Sequence, residues 1–345
     1  VTIDLRSDTL TVPDEAMRAA MAAALVGDDV YAEDPTITAL ERRTADLLGH
    51  QAGLFCATGS LSNVLGVAML VQPGQEVLCD VDAHIARAEL GAHGALSGVT
   101  MRTWGSSRGV TELATIETML APDAGPYLVS TAAVALENTH NFGGGTIQPL
   151  EHLQAVHRLC RDAGVRLHLD GARLWNAHVA TGTPLADYGR LFDTVSVCFS
   201  KGLGAPVGSM LLSDAETIAR ARVLRKRMGG GWRQAGLLAA AADHALTHNL
   251  DRLADDHAAA RTLAEAVAER APAAVDLDLV QTNIVVLSTG RRPALDVSLA
   301  AAEQGVVVSA LGRHMIRAVT RRGVDRDRCR RAGEILAGLL SDPAG

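Results

Sequence analysis

Short apolar runs at 53–57, 76–79, 132–136, 165–169, 194–199 and 207–212 alternate along this chain with segments of helical apolar spacing. The intervening helices are expected at 62–70, at 150–163 (ended by Gly164) and at 214–227. A strand that is apolar on both faces is stable only when both faces are covered, so the alternation predicts a mostly parallel sheet with helices on either side. Two earlier helices precede the first run. One opens at Pro13 and continues through Met17, Ala20 and Leu25. The other has Asp34 as N-cap, Pro35 at its first position, Ile37, Leu40, Ala45 and Leu48 on its apolar face, and Gly49 at its end.

The pattern changes after about residue 245. An alanine-rich helix is expected across 234–271, then a strand at 283–287, a helix at 295–304, strands at 306–309 and 315–319, and a last helix from Asp325. This predicts an N-terminal arm (1–12), a large α/β domain (13–245) and a smaller α+β C-terminal domain (246–345). The 345 residues, 48% hydrophobic and 21% charged, suffice for a packed core and exclude a disordered chain. Aromatics are only 3%, so that core must be built from Ala, Leu and Val.

A net charge of −7 argues against nucleic acid or an anionic membrane as partner. No apolar stretch approaches the roughly 20 residues of a membrane helix. The opening residues show neither a basic nor an apolar leader segment, and the five cysteines form no C-x-x-C pair. They read as reduced core thiols rather than zinc or redox groups, and a cytoplasmic protein without a metal site is expected.

The chemistry concentrates at strand ends. Lys201 follows the 194–199 run and enters a glycine-rich turn, where open α/β sheets place their ligands. Asp170 closes the 165–169 run. A lysine that forms a Schiff base, with an acid holding a ring nitrogen protonated, is the arrangement of pyridoxal 5'-phosphate chemistry. Thr58-Gly59-Ser60-Leu-Ser62 follows the first run and opens a helix, which suits a phosphate. Taken singly, each feature also has a plain reading: a solvated lysine, a helix-capping aspartate, an unoccupied turn.

Seven segments in register resemble the low-specificity L-threonine aldolases over essentially the whole chain. They are Asp4-Leu-Arg6-Ser7-Asp8-Thr9; Gly27-Asp-Asp-Val-Tyr31 with Glu33-Asp-Pro-Thr36; Leu136-Glu-Asn-Thr-His140-Asn; Asp170-Gly-Ala-Arg173; Ser200-Lys201-Gly-Leu-Gly-Ala-Pro-Val-Gly208; Gly229-Gly-Gly-Trp-Arg233-Gln-Ala-Gly236; and Ile316-Arg317-Ala-Val-Thr320. The resemblance implies the pyridoxal-phosphate-dependent transferase fold of the aspartate aminotransferase type. It also implies cleavage of L-threonine, L-allo-threonine and related L-β-hydroxy-α-amino acids to glycine and an aldehyde.

By the same resemblance, Lys201 carries the cofactor, Asp170 pairs with its ring nitrogen, His84 stacks on the ring, and Gly59 and Ser60 hold the phosphate. Arg233 reaches a phosphate across a subunit boundary, in a homodimer or homotetramer with shared sites. Ser7, Arg173 and Arg317 bind the substrate carboxylate, Arg173 lying against the cofactor as well. His84 is also a candidate base for the substrate hydroxyl, while His140 and His168 read as structural.

Three positions depart from the family pattern: Ala88 stands for a tyrosine, Tyr127 for a histidine, and Arg321 for the histidine after Val319-Thr320. Ala88 and Tyr127 are expected on the β-carbon side of the substrate. The alternatives are another reaction of the same cofactor, β-elimination or transamination, and a non-catalytic cofactor-binding protein. A nicotinamide site is excluded because no strand is followed by G-x-G-x-x-G.

Overall fold

The computed structural model describes residues 2–341. In chain order its first strands are β1 (Ile3–Asp4), β2 (Ala52–Cys56), β3 (Glu76–Asp80), β4 (Thr100–Trp104), β5 (Thr131–Glu137), β6 (Arg166–Gly171), β7 (Thr194–Cys198) and β8 (Ser209–Ser213). All but β1 form one seven-stranded sheet in the order β2-β8-β7-β6-β5-β3-β4. Strand β8 is antiparallel to both its neighbours, and the other six run the same way. Every expected apolar run is a strand of this sheet. Strand β4 was not among them, because it lies at the edge and buries only Trp104 of its five residues.

Alternation along the strands sorts side chains between two cores. Phe55, Leu78, Val134, Leu136, Met210 and Leu212 face a core shared with helices Pro35–Leu48, Leu150–Asp162 and Gly236–His248. Their neighbours Leu54, Cys56, Val77, Cys79, Ala133, Ala135 and Leu211 face the helices Gly59–Leu70 and Ala215–Arg227. Both faces are therefore dry, as the continuous apolar runs require.

The long helix expected at 234–271 is two helices, Gly236–His248 and Leu253–Ala268. Asn249 ends the first by turning its amide onto the Leu203 carbonyl, 2.7 Å away. The second helix joins a separate core with helices Ala294–Glu303 and Arg326–Ser341 and the strands β9 (Ile284–Ser288), β10 (Val306–Val307) and β12 (Met315–Val319); β11 (Ser309–Leu311) lies beside it on β12. The single strand expected at 306–309 is divided: β10 pairs with β1, whereas β11 pairs with β12 beside β9. The N-terminal arm thus runs into the second core, where Ile3 and Leu5 are buried.

Gly66 lies in the Gly59–Leu70 helix where it crosses the sheet. A Cβ there would stand 2.7 Å from His168 Cε1 and 3.0 Å from Leu211 Cδ1. In an open helix Gly→Ala gains about 1 kcal/mol; overpacking a filled core costs about 1–3 kcal/mol. Crowding should win. Gly66→Ala is expected to lower the calorimetric Tm, and a raised Tm would show that the helix rides higher above His168 than described.

Candidate active site

Because β2, β3, β5, β6 and β7 run in one direction, their carboxyl ends share an edge of the sheet. Glu137, Asp170 and Ser196 are neighbours in register across β5, β6 and β7. Lys201 follows β7 in a turn that Gly204 (φ +83) and Gly208 (φ +122) make possible. Gly208 also admits the Phe55 ring, which a Cβ would meet at 2.7 Å. The lysine is half-buried, and its charge acts on Asp8 and Cys198.

Asp170 is buried and accepts from the Ala172 amide (3.1 Å) and from Asn63 Nδ2 (2.8 Å). The same Asn63 nitrogen donates to Glu89 Oε1 at 2.8 Å. Glu89 in turn meets His84 Nδ1 at 2.9 Å and His93 Nε2 at 2.7 Å. Burial pushes the Glu89 carboxyl up, but the bonds from His84, His93 and Asn63 outweigh it and hold it down at about 2. For His84, burial presses the pKa down. The Glu89 hydrogen bond and the charges of Asp170, Glu89 and Glu137 outweigh this, so it stays protonated to higher pH than a free histidine.

The His84 backbone N–H donates to Glu137 Oε2 at 2.7 Å, which fixes the short helix His84–Arg87 against β5. His84, Glu89 and Asp170 bring possible metal-ligand atoms within 4.8 Å of one another. The Asn63 amide already bridges the two carboxylates of that trio.

A second group surrounds Asp8. Arg173 donates from Nε to Asp8 Oδ2 (2.7 Å) and from Nη2 to Oδ1 (2.8 Å), and Asn283 adds a bond to Oδ2 (3.1 Å). Burial alone would raise the Asp8 pKa; Arg173, Lys201 and Asn283 bring it down to about 2. Arg173 Nη1 and Arg317 Nη1 both donate to Asn141 Oδ1, at 3.2 and 2.7 Å. Arg317 Nε is buried without a hydrogen-bond partner, and no carboxylate pairs with this guanidinium among the described residues. Burial and the neighbouring Arg173 lower its pKa to about 10, leaving it charged at neutral pH.

The two arginines expected to act alike therefore differ. The fork of Arg173 is closed on Asp8, whereas Arg317 has no carboxylate partner among the described residues.

At the start of the Gly59–Leu70 helix, Thr58 caps the Leu61 amide through its hydroxyl oxygen (3.1 Å) and the Ser62 amide through its carbonyl. The Gly59 and Ser60 amides carry no acceptor among the described residues, and the buried Ser62 hydroxyl has no partner either. A Cβ at Gly59 would stand 2.7 Å from Cys198 Sγ, so this turn needs a glycine. Ser7 uses its hydroxyl locally, accepting from the Thr9 amide and hydroxyl.

Arg233 stands apart: its side chain is 63% exposed, with Asp28 at 3.6 Å. Tyr127 is 94% exposed and precedes β5, at the edge of the sheet opposite Asp170 and Lys201. It does not line this chain's own site, contrary to expectation. Ala88 is exposed, ending the short helix that His84 begins. His140, read as structural, accepts the Gly143 amide at Nδ1 (3.0 Å). Asn63, Glu89, His93, Asp8, Asn141 and Asn283 were not singled out from the sequence. Asp8, Asn63, Glu89 and Asn141 lie inside or beside motifs quoted above, whereas Asn283 carries no local signal.

This edge, with lysine, buried aspartate and helix N-terminus on adjoining strand ends, defines a ligand site of a mixed α/β enzyme. The chain belongs to the beta-eliminating lyase family, whose model matches residues 4–289. Within it, the chain falls among the low-specificity L-threonine aldolases. It is 41% identical over 295 residues to the probable low-specificity L-threonine aldolase 2 of Arabidopsis thaliana, covering 85% of this chain and 83% of the relative.

A Caenorhabditis elegans protein, R102.4, is 43% identical over 272 residues, which are 78% of this chain and 65% of that longer protein. The fold is that of the solved threonine aldolase of Leishmania major, with a TM-score of 0.82 at 22% identity over 98% of this chain and 99% of that one. It is the fold type of pyridoxal-phosphate-dependent enzymes, as the sequence motifs implied.

The Asp8–Arg173 pair generates a prediction. Asp8→Asn leaves a fully buried guanidinium without its counter-charge, a change that costs about 3–5 kcal/mol in buried pairs. The folded pKa of Asp8, about 2, lies below its ordinary 3.8. The stabilisation is therefore complete above the ordinary value and lost as pH falls through the folded one. Thermal unfolding of wild type and Asp8→Asn should differ widely at pH 7 and converge toward pH 2. A constant difference would mean that the carboxylate's charge is not what matters.

Proposed function

We propose that this protein binds pyridoxal 5'-phosphate through Lys201 and reversibly cleaves L-threonine, L-allo-threonine and related L-β-hydroxy-α-amino acids to glycine and an aldehyde. One observation carries the reading. A half-buried guanidinium without its own carboxylate, Arg317, joins through Asn141 to the strand end that holds Glu137, beside Asp170, His84 and Lys201. The 41% identity to the Arabidopsis thaliana relative supports it.

The residues present fit the cofactor. Asp170 offers a buried carboxylate for a ring nitrogen, and Gly59, Ser60 and the unpartnered Ser62 hydroxyl offer donors for a phosphate. When bound, the cofactor supplies a sink for the electron pair released as the Cα–Cβ bond breaks. Asp170 holds a proton on the ring nitrogen. Arg317, steadied by Asn141, takes the substrate carboxylate. Arg173 supports it from behind through the same Asn141 oxygen, while Asp8 keeps Arg173 in place. Ser7 lies on the arm that brings Asp8 to the site.

His84 has Nδ1 committed to Glu89, so Nε2 is the atom that takes the proton of the substrate hydroxyl. Arg233 is assigned to the phosphate of a second subunit, in a homodimer or homotetramer. Its exposure and that of Tyr31, 73%, support such a contact. The five buried, unpaired thiols suit a cytoplasmic location.

The matching family model is described as a beta-eliminating lyase, which keeps β-elimination as a second reading on the same residues. Products decide between them. Incubated with L-threonine, the holoenzyme should yield equal amounts of acetaldehyde and glycine; ammonia and a 2-oxo acid in their place would establish elimination. Lys201→Ala should abolish turnover and leave no borohydride-reducible cofactor on the chain. Retained attachment would place the anchoring lysine elsewhere.

The acid limb of the pH profile tests His84. A base must be unprotonated, so kcat/KM should rise with pH through the elevated His84 pKa. Glu89→Gln removes the charge that elevates it and should move the limb to lower pH. A limb that stays put in Glu89→Gln would assign the proton transfer to another group.

A further inference from the structure

We propose that Asn63, held in one orientation by His168, is a positioning residue that keeps Asp170 and Glu89 in place as two bridged carboxylates and thereby governs the proton on His84. The orientation follows from chemistry alone. Carboxylates only accept, and Asn63 Nδ2 lies 2.8 Å from an oxygen of each, so the amide NH2 faces both. The amide oxygen then faces His168 Nε2 at 3.1 Å, and that nitrogen must carry the hydrogen. The other ring nitrogen, Nδ1, accepts from the Thr194 hydroxyl at 2.9 Å. His168 is therefore a neutral imidazole in one tautomer, and burial, which lowers its pKa to about 4, keeps it so. A flipped Asn63 would set its oxygen against two carboxylates and its NH2 against an N–H. Gly66 packs against one side of the ring, where a Cβ would stand 2.7 Å from Cε1.

Asp170 and Glu89 bring oxygens within 4.8 Å in a buried space. Two carboxylates brought this close, both buried, each need donors of their own. The two N–H bonds of Asn63 supply one to an oxygen of each. Glu89 Oε1 accepts from Asn63 and His84 alike, so the two donors compete for it. Removing the amide makes Glu89 a stronger acceptor for the His84 Nδ1 proton. The groups around His84 are Glu89 on the following turn, Glu137 on β5, Asp170 on β6, and His93 behind Glu89.

The link to catalysis rests on the roles given above to Asp170 and His84, so the test separates the two. Histidine titrations by NMR are run on the full 13C-histidine-labelled chain, with and without added pyridoxal 5'-phosphate. The His84 signal is identified by its loss in His84→Gln. In Asn63→Leu without cofactor, His84 should titrate at a higher pH by about half a unit or more. His168→Phe, which frees the Asn63 amide to turn, should shift it the same way, and this variant serves if Asn63→Leu does not fold. Affinity for pyridoxal 5'-phosphate should fall about tenfold in either variant. Folded variants with an unmoved or lowered His84 titration overturn the proposal. Wild-type chain that does not bind pyridoxal 5'-phosphate would overturn the proposed function, while the cofactor-free titrations would still judge the network.

Discussion

Asp8 has no exposed surface and accepts three hydrogen bonds, two from Arg173 and one from Asn283. Each partner belongs to a different part of the molecule. Asp8 is on the N-terminal arm just after β1, Arg173 follows the end of β6, and Asn283 immediately precedes β9. One carboxylate thus fastens the arm, the large sheet and the second core at the point where the candidate site lies. A buried ion pair is weak evidence for stability, since a well-packed apolar replacement can do as well. Its value here is directional. Only a charge-matched, bidentate contact sets the guanidinium plane of Arg173 and, through Asn141, the place of Arg317.

The site divides into two polar networks with opposite tasks. Around Asp8 the excess is cationic: Arg173, Arg317 and Lys201 outnumber the single aspartate, and a substrate carboxylate would offset part of that excess. Around Glu89 the excess is anionic: Asp170, Glu89 and Glu137 converge on His84. On the proposed reading, the two networks would let the site bind an anion at one side and hold protons at the other. A uniform field could not do both.

Sequence was legible where chemistry is local. The runs that became β2, β3 and β5 to β8 announced themselves because both faces of those strands are buried. The Asp34–Pro35 start and Gly49 stop of a helix were legible because caps act within a turn. Strand β4 escaped because an edge strand needs no apolar run, and the break at 249 escaped because its cause, the Leu203 carbonyl, is 46 residues away. The site behaved alike. Lys201, Asp170 and His84 stand in motifs of distinctive composition. Asn63 meets Asp170 across 107 positions, and Asn283 meets Asp8 across 275. An asparagine has no spacing rule to betray such a partnership.

The same residues bear on which bond such a site breaks. For an amino acid held at its α-carbon, the bond turned perpendicular to an electron-accepting plane is the one weakened. A carboxylate fixed by one rigid guanidinium leaves two bonds to compete, to hydrogen and to Cβ. Aldol cleavage needs a proton acceptor at the β-hydroxyl, whereas β-elimination first needs one at the α-hydrogen. Glu89 ties the His84 ring by Nδ1, and the backbone N–H of His84 ties its helix to Glu137. The imidazole is therefore a fixed acceptor rather than a roaming one. On the proposed reading, an acceptor held after β3 and a carboxylate anchor held on β12 of the second sheet would select one of the two bonds by geometry.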